Sequence, residues 1–332
     1  MPHTDSTAPV VVLTGASSGI GRATAHRLAE AGADIALAAR NVHTLRPVAD
    51  ECLARGGRVL VVPTDVSDPE AVAALARLAI ERFGRIDVWI NNVGVGAVGL
   101  FDEVPLALHR RVIESNLLGH MNGAHVALAH FRERRRGTLI NMISLGGWVP
   151  SPYAAAYSAS KFGLRGFTES VRAEMSALPD VHVCAVCPTF VDTPGVGHGA
   201  NRVGRHLRPP SPMLDPREVA DVVVGLINSP RPTVMLGAVA TPARVAHAIA
   251  PDLTGRIGRR AMEKALERAG PADVGNGNLF EPSSDTGIDG GYRRPRRLPV
   301  GALTIVGAVA LGLGLLASRS VRRRSAAAMS FE

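Results

Sequence analysis

Lysine is almost missing from this chain of 332 residues: Lys161 and Lys264 stand against thirty-five arginines, so each lysine needs a local reason. Aromatic residues make up 4%, with three tyrosines and two tryptophans. Three cysteines are too few for a disulfide framework, and the opening MPHTDSTAP is too polar for a secretory signal. Together these predict folding in a reducing cytoplasm. Internal repeats are lacking. What is plentiful is apolar: 46% hydrophobic with 20% charged residues excludes a disordered chain. The length fits two domains, or one α/β domain of ~250 residues with appendages.

Acid is missing from one region. Residues 293–324 hold eight arginines and no Asp or Glu, which accounts for the whole net charge of +8. The other 29 basic residues are matched by 29 acidic ones. A duplex-binding surface needs charge spread over a folded face, so the high pI does not argue for nucleic acid. Inside the arginine-rich region, LPVGALTIVGAVALGLGLLA (298–317) runs without a charge. At 1.5 Å per residue it reaches about 30 Å, the depth of a bilayer's hydrocarbon core. It is expected to be a single transmembrane helix, anchoring a cytoplasmic domain and contacting membrane lipid. Four arginines flank each end, so charge does not orient it, and the side on which the basic tail 318–332 lies stays open.

Apolar runs at PVVVL, ADIALAAR, RVLVVP, IDVWINN, GTLINMIS, VHVCAVCP and TVML alternate with helical spacing over 42–56, 69–84, about 105–135, after 152, and 216–228. This alternation predicts a doubly wound parallel α/β sheet of Rossmann type over 9–240, after an N-terminal tail of residues 1–8. Residues 188–215, rich in proline and glycine, are expected to form a lid over a site. A helical extension over 241–270 and a linker over 271–297 should follow.

TGASSGIG, between the first strand and the first helix, is placed to cradle a pyrophosphate at a helix N-terminus. Gly15 permits the turn, Gly19 the approach of a phosphate, and Gly21 close helix–strand packing. The spacing resembles the TGxxxGIG pattern of the short-chain dehydrogenase/reductase family. Further motifs follow in that family's order: TDV (64–66), NNVG (91–94), Asn116 in ESNLLG, Ser144, Tyr157 and Lys161 as Ser…YxxxK, and PTFVDT (188–193), with Thr189 in place of a glycine. The resemblance covers about residues 9–240. It implies hydride transfer between an alcohol or carbonyl substrate and a nicotinamide cofactor. The cofactor would be held by Gly15, Ser17, Ser18, Gly19, Ile20, Gly21, Arg40, Asp65, Val66, Asn92, Gly94, Tyr157, Lys161, Pro188, Thr189 and Thr193. It also implies a homo-oligomer, a Ser144 that orients substrate and an Asn116 that relays protons.

Residues four apart share a helix face, so Tyr157 and Lys161 can meet one molecule. A free phenol titrates near ~10 and is a weak base at neutral pH. An adjacent ammonium is expected to lower that value by ~1–3 units, towards the range useful for proton exchange. Arginine, a planar fork, is no substitute for so compact a cation. Arg40 ends the second strand where an acid would hold a ribose 2′-hydroxyl, and a guanidinium there suits a 2′-phosphate, so NADP(H) is expected over NAD(H). The alternative is a membrane scaffold that senses NADP(H) without turnover.

Other patterns are set aside. Cys184 and Cys187 lie in a strand at odd spacing and should face opposite layers. His120, His125 and His130, five apart, share no helix face, and no catalytic metal is expected. Tyr153 has no lysine four residues on and is expected to pack or to line the substrate wall.

Overall fold

The computed structural model describes residues 8–293. Every residue of β1 (Val10–Thr14) is buried, as a strand covered on both faces must be. Val11 and Leu13 enter one apolar layer and Val12 the other, following the two-residue period of a strand. After it come β2 (Asp34–Ala39), β3 (Arg58–Pro63), β4 (Val88–Asn91), the short β5 (Ala97–Val98), β6 (Gly137–Met142), β7 (Val181–Pro188), the short β8 (Ala200–Asn201) and β9 (Thr233–Leu236). Seven of them form one sheet in the order β3-β2-β1-β4-β6-β7-β9, every pair parallel.

The helices are α1 (Gly19–Glu30), α2 (Val42–Ala54), α3 (Pro69–Phe83), α4 (Leu106–Ile113), α5 (Gly119–Arg134), α6 (Ala155–Glu174), the single turn α7 (Gly195–His198), α8 (Pro216–Asn228), α9 (Ala240–Ile249) and α10 (Pro251–Arg268). Leu28, Leu45 and Val223 of α1, α2 and α8 pack on one face of the sheet. Leu75, Phe131 and Val171 of α3, α5 and α6 pack on the other. Local chemistry sets the ends. Asp68 caps α3 by accepting from Glu70 and Ala71, Pro69 opens the helix, and Gly84 closes it at φ 86°.

The strand order reverses between β1 and β4, the switch point at which doubly wound sheets bind ligands. Because the sheet is parallel, the residues after β1, β2, β3, β4, β6 and β7 all emerge at one edge. That edge therefore carries Gly15, Arg40, Asp65, Asn92, Ser144 and Thr189. A buried polar chain fixes the middle of it: Trp89 Nε1 donates to Asn91, Asn91 to Asn141, and Asn141 to Thr168, at 2.8, 3.0 and 3.0 Å. Gly123 makes room, since a Cβ there would lie 2.3 Å from Asn91 Oδ1.

Three segments carry structure that periodicity does not predict. The helix expected over about 105–135 is two helices joined by a π-turn at Glu114–Leu118. The segment expected as a lid has its two ends bridged to each other at Val191 and Leu214, and its β8 pairs with β5. Residues 271–293, expected as a linker, lie on the domain, bridged at Gly275 to Asn201 and at Pro271 to Arg205. Irregular backbone held by carbonyl and N–H pairs leaves no periodic trace in sequence. The stretch 298–317 lies outside the described residues. Among the described residues no helix is long and apolar enough to cross a membrane.

Candidate active site

Gly15 and Gly19 take positive φ of 65° and 52°, and a Cβ on Gly21 would sit 1.9 Å from the Gly15 carbonyl oxygen. Ser18 precedes α1 in extended backbone and makes no side-chain cap, which suits an anion at the first turn. Ser17 and Ser18 are half-buried at the rim, and Ile20 packs on the core beneath. Asn92 braces the loop: its amide donates to the Thr14 and Gly15 carbonyls at 3.3 and 3.1 Å, and its N–H to Thr14 Oγ1 at 3.1 Å. Thr193, beyond β7, lies against Gly19. Pro188 ends β7, and Thr189 N–H donates to Leu236 at 2.9 Å. Thr189 is not among the positive-φ residues, so its backbone does not need the family's glycine. The room for its side chain comes from Gly237, where a Cβ would meet Thr189 Oγ1 at 2.2 Å.

At the other end of the cleft, Asp65 accepts from Ser67 N–H and Oγ at 3.0 and 2.7 Å and pairs with Arg111 at 2.5 Å. Burial pushes its carboxyl up, but these bonds outweigh burial and hold it below the usual range. Val66 faces α5, where Gly119 gives it room, and its carbonyl accepts from Asn122 at 2.9 Å. Arg40 reaches the same edge, where its guanidinium donates to the main-chain carbonyls of Asn278, Leu279 and Phe280.

Between these ends lies the proton-transfer group. Ser144 sits at φ 146°, backbone that strongly favours glycine, and its Oγ accepts from Gly146 N–H at 3.0 Å. Gly146 leaves space for the Tyr157 ring, which a Cβ there would approach to 2.9 Å. Burial pushes the Tyr157 phenol above its ordinary value, offset in part by a hydrogen bond with Ser144. The expected acidification by Lys161 does not set its direction. Lys161 Nζ lies 5.9 Å from the Tyr157 ring centroid and donates to the Met142 carbonyl at 2.9 Å. Desolvation brings the ammonium itself down to about 8. Gly94 is exposed beside it, its absent Cβ 3.9 Å from Nζ.

Asn116 occupies the π-turn and is fully buried. It exchanges two hydrogen bonds with Val95, both 2.8 Å, and donates to Ser160 Oγ at 3.1 Å. These bonds make it a brace for the loop after β4, tied through Ser160, whose hydroxyl donates to the Tyr157 carbonyl at 2.7 Å, to the helix that carries Tyr157 and Lys161. Sequence reasoning missed Arg111, Gly146 and the Asn91–Asn141–Thr168 chain. A glycine two residues past Ser144 was a readable signal; the contacts of Arg111 were not.

Cys184 enters one apolar layer and Cys187 another, as their odd spacing requires. His120 Nε2 donates to the Val93 carbonyl and His130 accepts from Ile86 N–H, so each has a separate structural partner. Among the described residues no three His, Cys, Asp or Glu side chains gather as metal ligands. Tyr153 takes φ 67°, and its carbonyl accepts from Gly99.

A doubly wound sheet with a glycine loop at its switch point and a Ser–Tyr–Lys group at the next strand end defines an oxidoreductase that works with a nicotinamide dinucleotide. The chain belongs to the short-chain dehydrogenase family, whose sequence profile, described as "short chain dehydrogenase", matches residues 9–201. It is 32% identical over 296 residues to the uncharacterized oxidoreductase YxnA of Bacillus subtilis (strain 168), covering 86% of this chain and 83% of that one. An alcohol dehydrogenase from the archaeon Thermococcus sibiricus, complexed with 5-hydroxy-NADP, is 31% identical with a TM-score of 0.62, covering 70% of this chain and 97% of that one. A short chain dehydrogenase/reductase from Burkholderia phymatum, in complex with NAD, is 27% identical with a TM-score of 0.64, covering 82% and 99%. The family makes this protein an enzyme acting on CH–OH and C=O groups of small molecules.

Proposed function

We propose that the protein interconverts an alcohol and a carbonyl using NADP(H), with Tyr157 as the proton-transfer group. The observation that carries this reading is the gathering of Ser144, Tyr157 and the buried Lys161 at the strand ends next to the glycine loop, with Ser144 Oγ and the Tyr157 ring both against Gly146 and Lys161 Nζ 5.9 Å from that ring. A bound nicotinamide supplies or accepts the hydride. Ser144 holds the substrate oxygen, and Tyr157, kept protonated by burial, donates to that oxygen during reduction and takes the proton back during oxidation. Lys161 supplies positive charge close to the phenol at neutral pH and binds the cofactor's ribose. Asn116 keeps the loop after β4 in register beneath it.

Arg40 supports NADP(H) over NAD(H). It is the cation at the end of β2, and Ala39 stands where an acid would be needed for the 2′-hydroxyl. The uncharged run 298–317 supports membrane tethering. So does the outer face of α9 and α10, where Val245, Ile249, Leu253 and Ile257 are 49%, 72%, 41% and 51% exposed beside Arg256 and Arg259. A tethered enzyme suits a lipophilic substrate drawn from the bilayer, and association into a homo-oligomer is in keeping with the family.

The test is a carbonyl panel assayed with NADPH and with NADH, for wild type and Tyr157→Phe. Turnover with a higher kcat/KM for NADPH, lost by ~10²–10⁴-fold in the variant, is expected. Undiminished turnover by Tyr157→Phe sinks the assignment. Dinucleotide binding without turnover of any substrate would favour the sensing scaffold.

A further inference from the structure

Residues 275–293 cross the strand-end edge from one end of the dinucleotide cleft to the other. The crossing begins at Gly275, paired with Asn201 through bonds of 3.1 and 3.0 Å, and at Asn278, whose N–H donates to the His198 carbonyl at 2.7 Å. Gly277 allows this approach, since a Cβ there would come 2.2 Å from the His198 oxygen. At the adenine end, the carbonyls of Asn278, Leu279 and Phe280 surround the Arg40 guanidinium, and Leu279 also accepts from Arg111 at 2.9 Å. The Leu279 side chain is 1% exposed, in a cluster with Val104, Leu108 and Val112. At the glycine loop, Gly19 N–H donates to the Gly287 carbonyl at 2.9 Å and Arg22 to that of Thr286. The far end is clamped by charge: Arg293 pairs with Asp192, Asp215 and Asp289, and Arg217 also holds Asp289.

These carbonyl oxygens take the donors that phosphate oxygens of a dinucleotide would need. Arg40 cannot face three main-chain acceptors and a 2′-phosphate together, and the Gly19 N–H cannot point at Gly287 and a pyrophosphate together. We propose that residues 278–287 are an autoinhibitory strap, occupying both ends of the cofactor cleft, and that a nicotinamide dinucleotide binds after the strap lifts. The inference rests on the dinucleotide reading of this cleft. Its geometry suits a hinged segment. Both ends stay pinned, at Asn201 and at Asp192, while the part between is held by main-chain acceptors and one leucine. The closed form also leaves Asn278 Oδ1 buried without a partner, which lowers the cost of opening.

The full chain tests this by hydrogen–deuterium exchange, without ligand and with saturating NADPH or NADH, alongside the NADPH affinity of wild type and Leu279→Ala. The cofactor should raise exchange at the amides of 278–287. Leu279→Ala, which removes the anchor of the closed form, should tighten NADPH binding by ~10-fold, because less of the protein waits in the closed state. NADPH that protects or leaves unchanged these amides in wild type overturns the strap whatever the variant does, and makes the segment a wall of the bound site. Unchanged or weaker binding by a folded Leu279→Ala also overturns it. If neither dinucleotide binds to either form, the cofactor reading of the cleft fails first, and the strap falls with it.

Discussion

Lys161 is 3% exposed with one carbonyl acceptor, so desolvation sets its behaviour. Its pKa falls from 10.5 to about 8, a penalty on the order of 3 kcal/mol for keeping the ammonium charged in the fold. Lys161→Met keeps the stem and removes the charge. It should raise the unfolding free energy at pH 7 by about 1–3 kcal/mol while turnover falls ~10²–10⁴-fold. Urea titration beside a steady-state assay reads both, and a less stable variant would mean that the ammonium is not a buried burden. In wild type the unfolded chain holds this proton up to about 10.5 and the folded chain only to about 8, so stability should climb with pH across that window. His120 acts at the acid end. It is buried with Nδ1 unpartnered, and its pKa drops from 6.5 to about 3. The unfolded imidazole binds a proton that the folded one refuses, so stability should fall with acidification by up to ~1.4 kcal/mol per pH unit. His120→Gln should flatten the curve between pH 6.5 and 4; identical curves for both proteins would refute this. The scarcity of lysine made Lys161 conspicuous in the sequence. Its titration was not legible, because burial depends on α6 closing against β6.

The element that decides the site is the helix pair around Asn116. An apolar period near 3.6 runs through 106–134, which reads as one helix. The π-turn admits one extra residue without upsetting that pattern over so short a stretch, so it leaves no mark in the periodicity. It lets the Asn116 amide reach the Val95 backbone. Asn116→Leu leaves the half-buried Val95 N–H and carbonyl without their partner and should cost about 1–3 kcal/mol. A larger drop in kcat than rise in KM is expected, measured with the same carbonyl panel. Stability and kcat both equal to wild type would remove the brace. The glycine loop, by contrast, was readable almost in full, since a turn at positive φ and a helix start each demand a particular residue type. Thr189 shows where such a rule stops. Its tolerance depends on Gly237, forty-eight positions along the chain and adjacent only after β7 and β9 pair.

At the scale of the whole molecule, truncation tests the proposed membrane tether. A chain ending at Arg293 keeps the whole described domain and the charged clamp on Asp192. It should stay in the supernatant after membranes are pelleted, with an unchanged melting temperature, while the full chain pellets and is released by detergent. A truncated chain that still pellets would remove 298–317 as the anchor and turn attention to the exposed apolar face of α9 and α10. The strap belongs to this scale too, because it joins residues up to 268 positions apart, from Gly19 to Gly287.

The sequence alone determined the alternating architecture, the residues at each strand end and the chemistry they carry, because these follow from local periodicity and from residue types that a turn, a helix face or a proton transfer requires. Tertiary structure alone decided which donors are taken. The direction of the Tyr157 shift, the π-turn placing Asn116 and the strap across Arg40 and Gly19 all come from burial and from contacts between segments distant in the chain, and no local pattern encodes them.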